Sequence, residues 1–129
     1  MSAVPHWLEV MLQRFGEGLG LQDLAFQGTG VASLRFETGV RLRFEYAFES
    51  LAVMMTVPTR GEPEALKRLL DYAHPARQRG LTLRTGYLAE KGEALMMMRL
   101  PAAEVTLPAL NGVFQELWRL AEDFRNREL

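Results

Sequence analysis

From Val40 to Glu49 the chain alternates without a break: Val40, Leu42, Phe44, Tyr46 and Phe48 are interleaved with Arg41, Arg43, Glu45, Ala47 and Glu49. A two-residue period is what a strand with one buried face requires, because successive side chains leave opposite faces of a pleated backbone. This stretch therefore commits the chain to a sheet, and a sheet obliges the remaining residues to supply neighbours and cover. Upstream, Ala32, Leu34 and Phe36 alternate with Ser33 and Arg35, and Glu37-Thr38-Gly39 is a short glycine-containing connection, so the two runs read as a hairpin. Leu51–Val57 follows as a third strand, apolar at nearly every position, and both of its faces need cover.

Helical spacing brackets these strands. From Pro5 to about Glu17, Leu8, Met11, Leu12, Phe15 and then Leu19 recur at steps of three and four, and Gly16, Gly18 and Gly20 mark the helix end and a turn. Pro58–Gly61 breaks the third strand, after which Glu62-Pro63 opens a second helix with Leu66, Leu69, Leu70 and Ala73 on one face, closed by Pro75 and Gly80. Leu81–Leu88 and Ala94–Leu100 flank the polar turn Glu90-Lys91-Gly92-Glu93 and read as a second hairpin. After Pro101, the residues Leu107, Leu110, Phe114, Leu117, Ala121 and Phe124 predict a closing amphipathic helix. The expected fold is α+β, in the order α-β-β-β-α-β-β-α, with an antiparallel sheet packed by helices in one domain over residues 1–129.

Composition narrows the function classes. Fifteen Lys and Arg against sixteen Asp and Glu give a net charge of −1, so the sum offers no drive toward nucleic acid or an anionic membrane. With no cysteine there is no disulfide, no thiolate nucleophile and no Cys-based metal site, and a cytoplasmic home is expected. The longest charge-free runs, Leu24–Leu34 and Val105–Gln115, are interrupted by Gly or Pro and too short for a membrane span, and no secretory signal is expected ahead of Arg14.

Reactive groups are sparse. His6 and His74 are the two histidines and lack metal-ligand spacing. Glu62 and Glu64 fall at a helix start, where the dipole favours carboxylates, and Asp71, Glu122 and Asp123 fall on expected solvated faces. Gly28-Thr29-Gly30 and the Gly16, Gly18, Gly20 run lack the Lys-Ser or Lys-Thr of a phosphate loop. Arg35, Arg41 and Arg43 share two adjacent strands with Phe36 and Phe44, but the aromatics alternate out of phase with the arginines, so a solvated polar face is expected rather than a stacking platform. No catalytic residue, metal site or cofactor is expected, and the chain is not read as an enzyme. What stands out is excess apolar surface, notably Leu51–Val57 and Leu95-Met96-Met97-Met98, which three helices must cover. Uncovered apolar surface marks a partner site or a dimer mate, and methionines suit varied partners.

From Trp7-Leu8 to Tyr46 the chain resembles the class I chaperones of bacterial type III secretion, the family of the Tir and Yop effector chaperones. The residues that carry the likeness are Leu12, Phe15 and Gly16, then Leu19-Gly20-Leu21 with Leu24, then Gly30, Leu34, Phe36 and the alternating Val40–Tyr46 strand. The match in element order and length extends over the whole chain. The resemblance implies a homodimeric bacterial cytoplasmic chaperone that binds the N-terminal segment of a secreted effector in extended form. It implies effector grooves drawing on Leu8, Met11, Leu12, Phe15, Phe44, Val53 and Met55, and a dimer interface drawing on Leu66, Leu69 and Leu70 with Leu83, Thr85 and Tyr87 of the following strand. Family members are usually distinctly acidic, whereas this chain has a pI near 6.1 and thirteen arginines against two lysines. The alternative reading is an α+β domain that binds a small apolar ligand, which would require a closed internal cavity rather than an open groove.

Overall fold

The computed structural model describes residues 4–77 and 80–128. Its elements are α1 (His6–Gly18), β1 (Val31–Arg35), β2 (Arg41–Ala47), β3 (Ser50–Pro58), α2 (Pro63–Tyr72), β4 (Arg84–Leu88), β5 (Glu93–Pro101) and α3 (Leu107–Glu128), with single 3-10 turns at Pro75–Arg77 and Ala102–Glu104. The α+β class and the α-β-β-β-α-β-β-α order both hold. Every strand pairing is antiparallel, in the sheet order β1-β2-β3-β5-β4. The last hairpin inserts β5 beside β3 and leaves β4 at the edge, so α2 is the crossover between two parallel strands.

The alternation in β2 does what its period requires. Leu42, Phe44 and Tyr46 enter the core, level with Met55, Val53 and Leu51 of β3, and Met96, Met98 and Leu100 of β5 continue the same layer. Helices cover only this face: Phe15 of α1 meets Phe44, and Leu110, Leu117, Ala121 and Phe124 of α3 are buried with them. The apolar run of β3 had called for cover on both faces. Instead, Met54 and Thr56 remain half-exposed on the opposite face, where no described helix packs.

The three glycines after Phe15 close α1 in a Schellman turn. Gly20 takes φ +79, the Leu21 amide donates to the Gly16 carbonyl at 2.8 Å and the Gly20 amide donates to that of Glu17 at 3.0 Å. Gly16 is buried, and a Cβ there would lie 3.2 Å from the Cβ of Leu24, so the returning chain can sit directly on the helix. The strand expected from Leu81 begins at Arg84. Gly80 at φ +79 turns the backbone before it, and Leu83 is buried ahead of the first residue paired to β5.

Candidate functional site

A chain of aromatic contacts leads from the core to the surface. Phe44 meets Phe15 edge-on with ring centroids 5.7 Å apart, and Phe15 meets Phe114 in the same way at 5.6 Å. Phe114 stacks on Trp118 at 5.8 Å, and Trp118 meets Phe36 edge-on at 4.9 Å. Phe15 and Phe44 are sealed, whereas Phe36, Phe114 and Trp118 are half-buried. On α1, Trp7 and Met11 continue the stripe of Phe15 at steps of four; Met11 is half-buried and Trp7 is 43% exposed. The outcome is an apolar, aromatic-rich surface where α1, α3 and the end of β1 meet.

Beside it runs a strand edge that no other described strand pairs. The Gly30 carbonyl accepts from Tyr46, and Phe36 donates to Val40, so even-numbered residues of β1 turn their polar backbone toward β2. Ser33 and Arg35 therefore direct theirs outward, while the Val31 carbonyl accepts from Gln27. An apolar surface alongside an unpaired edge can hold an extended peptide by backbone pairing and by insertion of alternate side chains.

The residues assigned to effector grooves separate sharply. Leu8, Leu12, Phe15, Phe44, Val53 and Met55 are at most 1% exposed and form the core; Met11 alone of the seven keeps surface. A sealed side chain has no area to offer a ligand, so these six support the surface from beneath rather than line it. The residues that line it beside Met11 are Phe36, Phe114 and Trp118. Their signal was an apolar stripe on the last helix wider than one buried seam needs, since Phe114 and Trp118 add a second row at a step of four.

Of the residues assigned to a dimer interface, Leu69 and Leu83 are buried, Leu66, Thr85 and Tyr87 are half-buried, and Leu70 is 74% exposed. The structure gathers them on one side: the Thr85 hydroxyl donates to the Leu69 carbonyl at 2.7 Å and stitches α2 to the edge strand β4.

A recess of about 720 Å³ lies between α3 and a wall that includes Tyr72, Ala76, Arg77, Leu81 and Leu83. Its floor includes Leu81, Leu83, Met98 and Val113, its rim carries Arg77, Glu116 and Arg119, and it opens to solvent. It is a groove, not the closed cavity that the small-ligand reading requires.

Tyr72 and Asp123 join α2 to α3. Asp123, expected on a solvated face, is half-buried and accepts a bond from the Tyr72 hydroxyl. Burial and then that bond push the Tyr72 phenol upward; the same bond leads the causes that hold the Asp123 carboxyl below the usual range, with Arg127 adding to it. His74 is exposed and accepts from the Ala76 amide at 3.0 Å, and His6 is exposed at the start of α1. Among the described residues, no three His, Asp or Glu side chains converge as metal ligands would, and no helix is long and apolar enough to cross a membrane.

Comparison with known proteins places this geometry. The model of a family described as type III secretory system chaperone SycN matches residues 7–124. No curated protein sequence matches. Among solved structures, the ExsC–ExsE complex includes a chain 20% identical, with coverage of 98% of this chain and 97% of that one and a TM-score of 0.81. The HopA1–SchA chaperone–effector complex matches at 19% identity, over 93% and 94% of the two chains, with a TM-score of 0.69. The Yersinia pestis type III secretion chaperone SycH, in complex with a fragment of YscM2, matches at 16% identity over 90% and 98%, with a TM-score of 0.68. At these identities the solved structures show a shared fold.

Proposed function

The chain belongs to the SycN family of type III secretory system chaperones, and from that membership we propose that it binds the N-terminal region of a secreted effector in extended form, keeping that region soluble and secretion-competent. The observation that carries this reading is the half-exposed surface of Met11, Phe36, Phe114 and Trp118 beside the open edge of β1. Such a surface takes apolar side chains from a segment that has not folded, and the edge pairs its backbone, without covalent chemistry, metal or cofactor. The solved complex of SchA with HopA1, described as chaperone and effector, has this fold and supports the reading. We further propose that the chain works as a homodimer through α2 and β4, in the bacterial cytoplasm, and is not an enzyme.

The test is co-expression with the first ~100–150 residues, about one domain's worth, of proteins encoded by neighbouring genes. The expected result is a complex of two chaperone chains and one client by light scattering. In it the client segment is protected from protease although it is unfolded alone, and Trp118→Ala weakens retention by about ten-fold or more. A chain that ignores every such client and instead carries a co-purified small molecule overturns the proposal in favour of a ligand-binding domain.

A further inference from the structure

The face of the sheet turned away from the helices has an ordered charge pattern. Across the strands, one row reads Ser33, Arg43, Met54, Met97, Arg84; the next reads Arg35, Arg41, Thr56, Leu95, Gly86; a third reads Val31, Glu45, Ala52, Arg99. Apolar and neutral residues of β3 and β5 thus form a central strip, with Met54, Met97 and Leu95 half-exposed. Arginines surround it, with Arg35, Arg41 and Arg43 on one side, Arg84 on the other and Arg99 of β5 at the end of the strip. The acidic residues in these rows and the one beyond are Glu45, 3.4 Å from Arg43, and Glu93, 3.9 Å from Arg41. Five arginines against two glutamates leave the face cationic on a chain whose net charge is −1.

We infer that this face docks an acidic amphipathic helix of a partner protein, with its apolar stripe on Met54, Met97 and Leu95 and its carboxylates against the flanking arginines. The surface is distinct from the one proposed for the effector, which lies across the sheet. Dimensions favour a helix: Arg43 and Arg84 stand three strand spacings apart, about 14 Å, and a helix with its side chains is about 10–12 Å across. It would supply the layer this side of the sheet lacks. A second copy of the chain does not fit, because two such faces would set arginine against arginine. Nucleic acid fits poorly, because Phe36 and Phe44 lie with the opposite face and Glu45 and Glu93 would meet phosphates. Two half-exposed methionines give the strip the pliancy to seat more than one side-chain pattern.

The experiment uses the full chain with methyl-labelled methionine and three probes. These are an amphipathic helical peptide of about 18 residues with Glu beside a Leu/Ala stripe, the same peptide with Lys for Glu, and a single-stranded oligothymidine of about 20 nucleotides. The expected result is saturable binding of the Glu peptide that moves the methyl signals of Met54 and Met97 but not those of Met55 and Met96. Binding should weaken about ten-fold or more between ~50 and ~300 mM salt and in the triple variant Arg43→Glu, Arg84→Glu, Arg99→Glu. An unchanged thermal melt shows that the variant is folded; if it is not, Met54→Gln and Met97→Gln replace it. The inference is overturned if the Glu peptide fails to saturate, if the Lys peptide or oligothymidine binds as well, or if other methionines respond instead.

Discussion

Phe48 and Glu49 form the two-residue turn between β2 and β3, and both are left-handed, at φ 52 and 56. A two-residue hairpin of this hand favours Asn-Gly, because a Cβ at positive φ crowds the following carbonyl. Here an aromatic and a glutamate hold it, and Phe48 is 91% exposed, so no core packing compensates. What fixes the turn lies outside it: the seven paired positions of the hairpin, and the Glu49 carbonyl accepting from the Ala102 amide at 2.9 Å. Replacing Phe48 and Glu49 together by Asn-Gly relieves the crowding and leaves those backbone bonds in place. The double variant should be more stable by about 1 kcal/mol in urea unfolding. A loss of stability would mean that Phe48 makes a contact the isolated chain does not show.

At the scale of elements, α3 is latched to α2 and to the connection that precedes it by polar and cation–ring contacts as well as by its apolar seam. The Thr59 hydroxyl donates to Glu128 at 2.7 Å, Arg68 lies over the Phe124 ring at 5.5 Å, and Tyr72 donates to Asp123. The latch sets two pH limits. The Asp123 pKa is depressed in the folded state, so its stabilisation is present above the unfolded value near 4 and is lost as pH falls through the folded one; the raised Tyr72 pKa gives stabilisation that is full below about 10 and fades as pH rises further. The difference in unfolding free energy between the wild type and Tyr72→Phe should therefore be greatest at neutral pH and shrink below about pH 4 and above about pH 10. A difference constant with pH would mean that the bond contributes nothing through charge. Much of this level was legible in the sequence. The alternation of β2 and the steps of α3 each answer to one face of one element, and periodicity reports that directly. The insertion of β5 between β3 and β4 was not legible, because sheet order is decided by how α2 packs against the edge. Nor was the division between Leu8, which is sealed, and Met11, which keeps surface: both sit on the apolar side of α1, and only the width of its neighbours separates them.

Taken whole, the molecule presents its apolar surfaces in different directions. The sheet order puts β1 and β4 at opposite edges, four strand spacings or about 19 Å apart, so a partner on the α2–β4 side leaves the aromatic surface and the β1 edge free. Leu70 is the feature that argues for a partner there. A lone exposed leucine is ordinary, but this one stands at 74% exposure beside half-buried Leu66, on a helix bonded to an edge strand that carries half-buried Tyr87. Pairing two chains through this side would seal those residues and set the two aromatic surfaces at the outer ends of one assembly. One extended segment, at roughly 3.3 Å per residue, could then reach from one surface to the other. Leu70→Glu places a charge where the interface would close without touching the core, and should leave thermal unfolding of the separate chain nearly unchanged. Light scattering at micromolar concentration should then give a mass near the 14.6 kDa of one chain, and the wild type should give twice that. The client should still bind, but more weakly, because each chain would hold only one of its two contact stretches. A Leu70→Glu variant that stays dimeric would move the interface elsewhere, and one that is monomeric yet holds its client undiminished would separate dimerisation from capture.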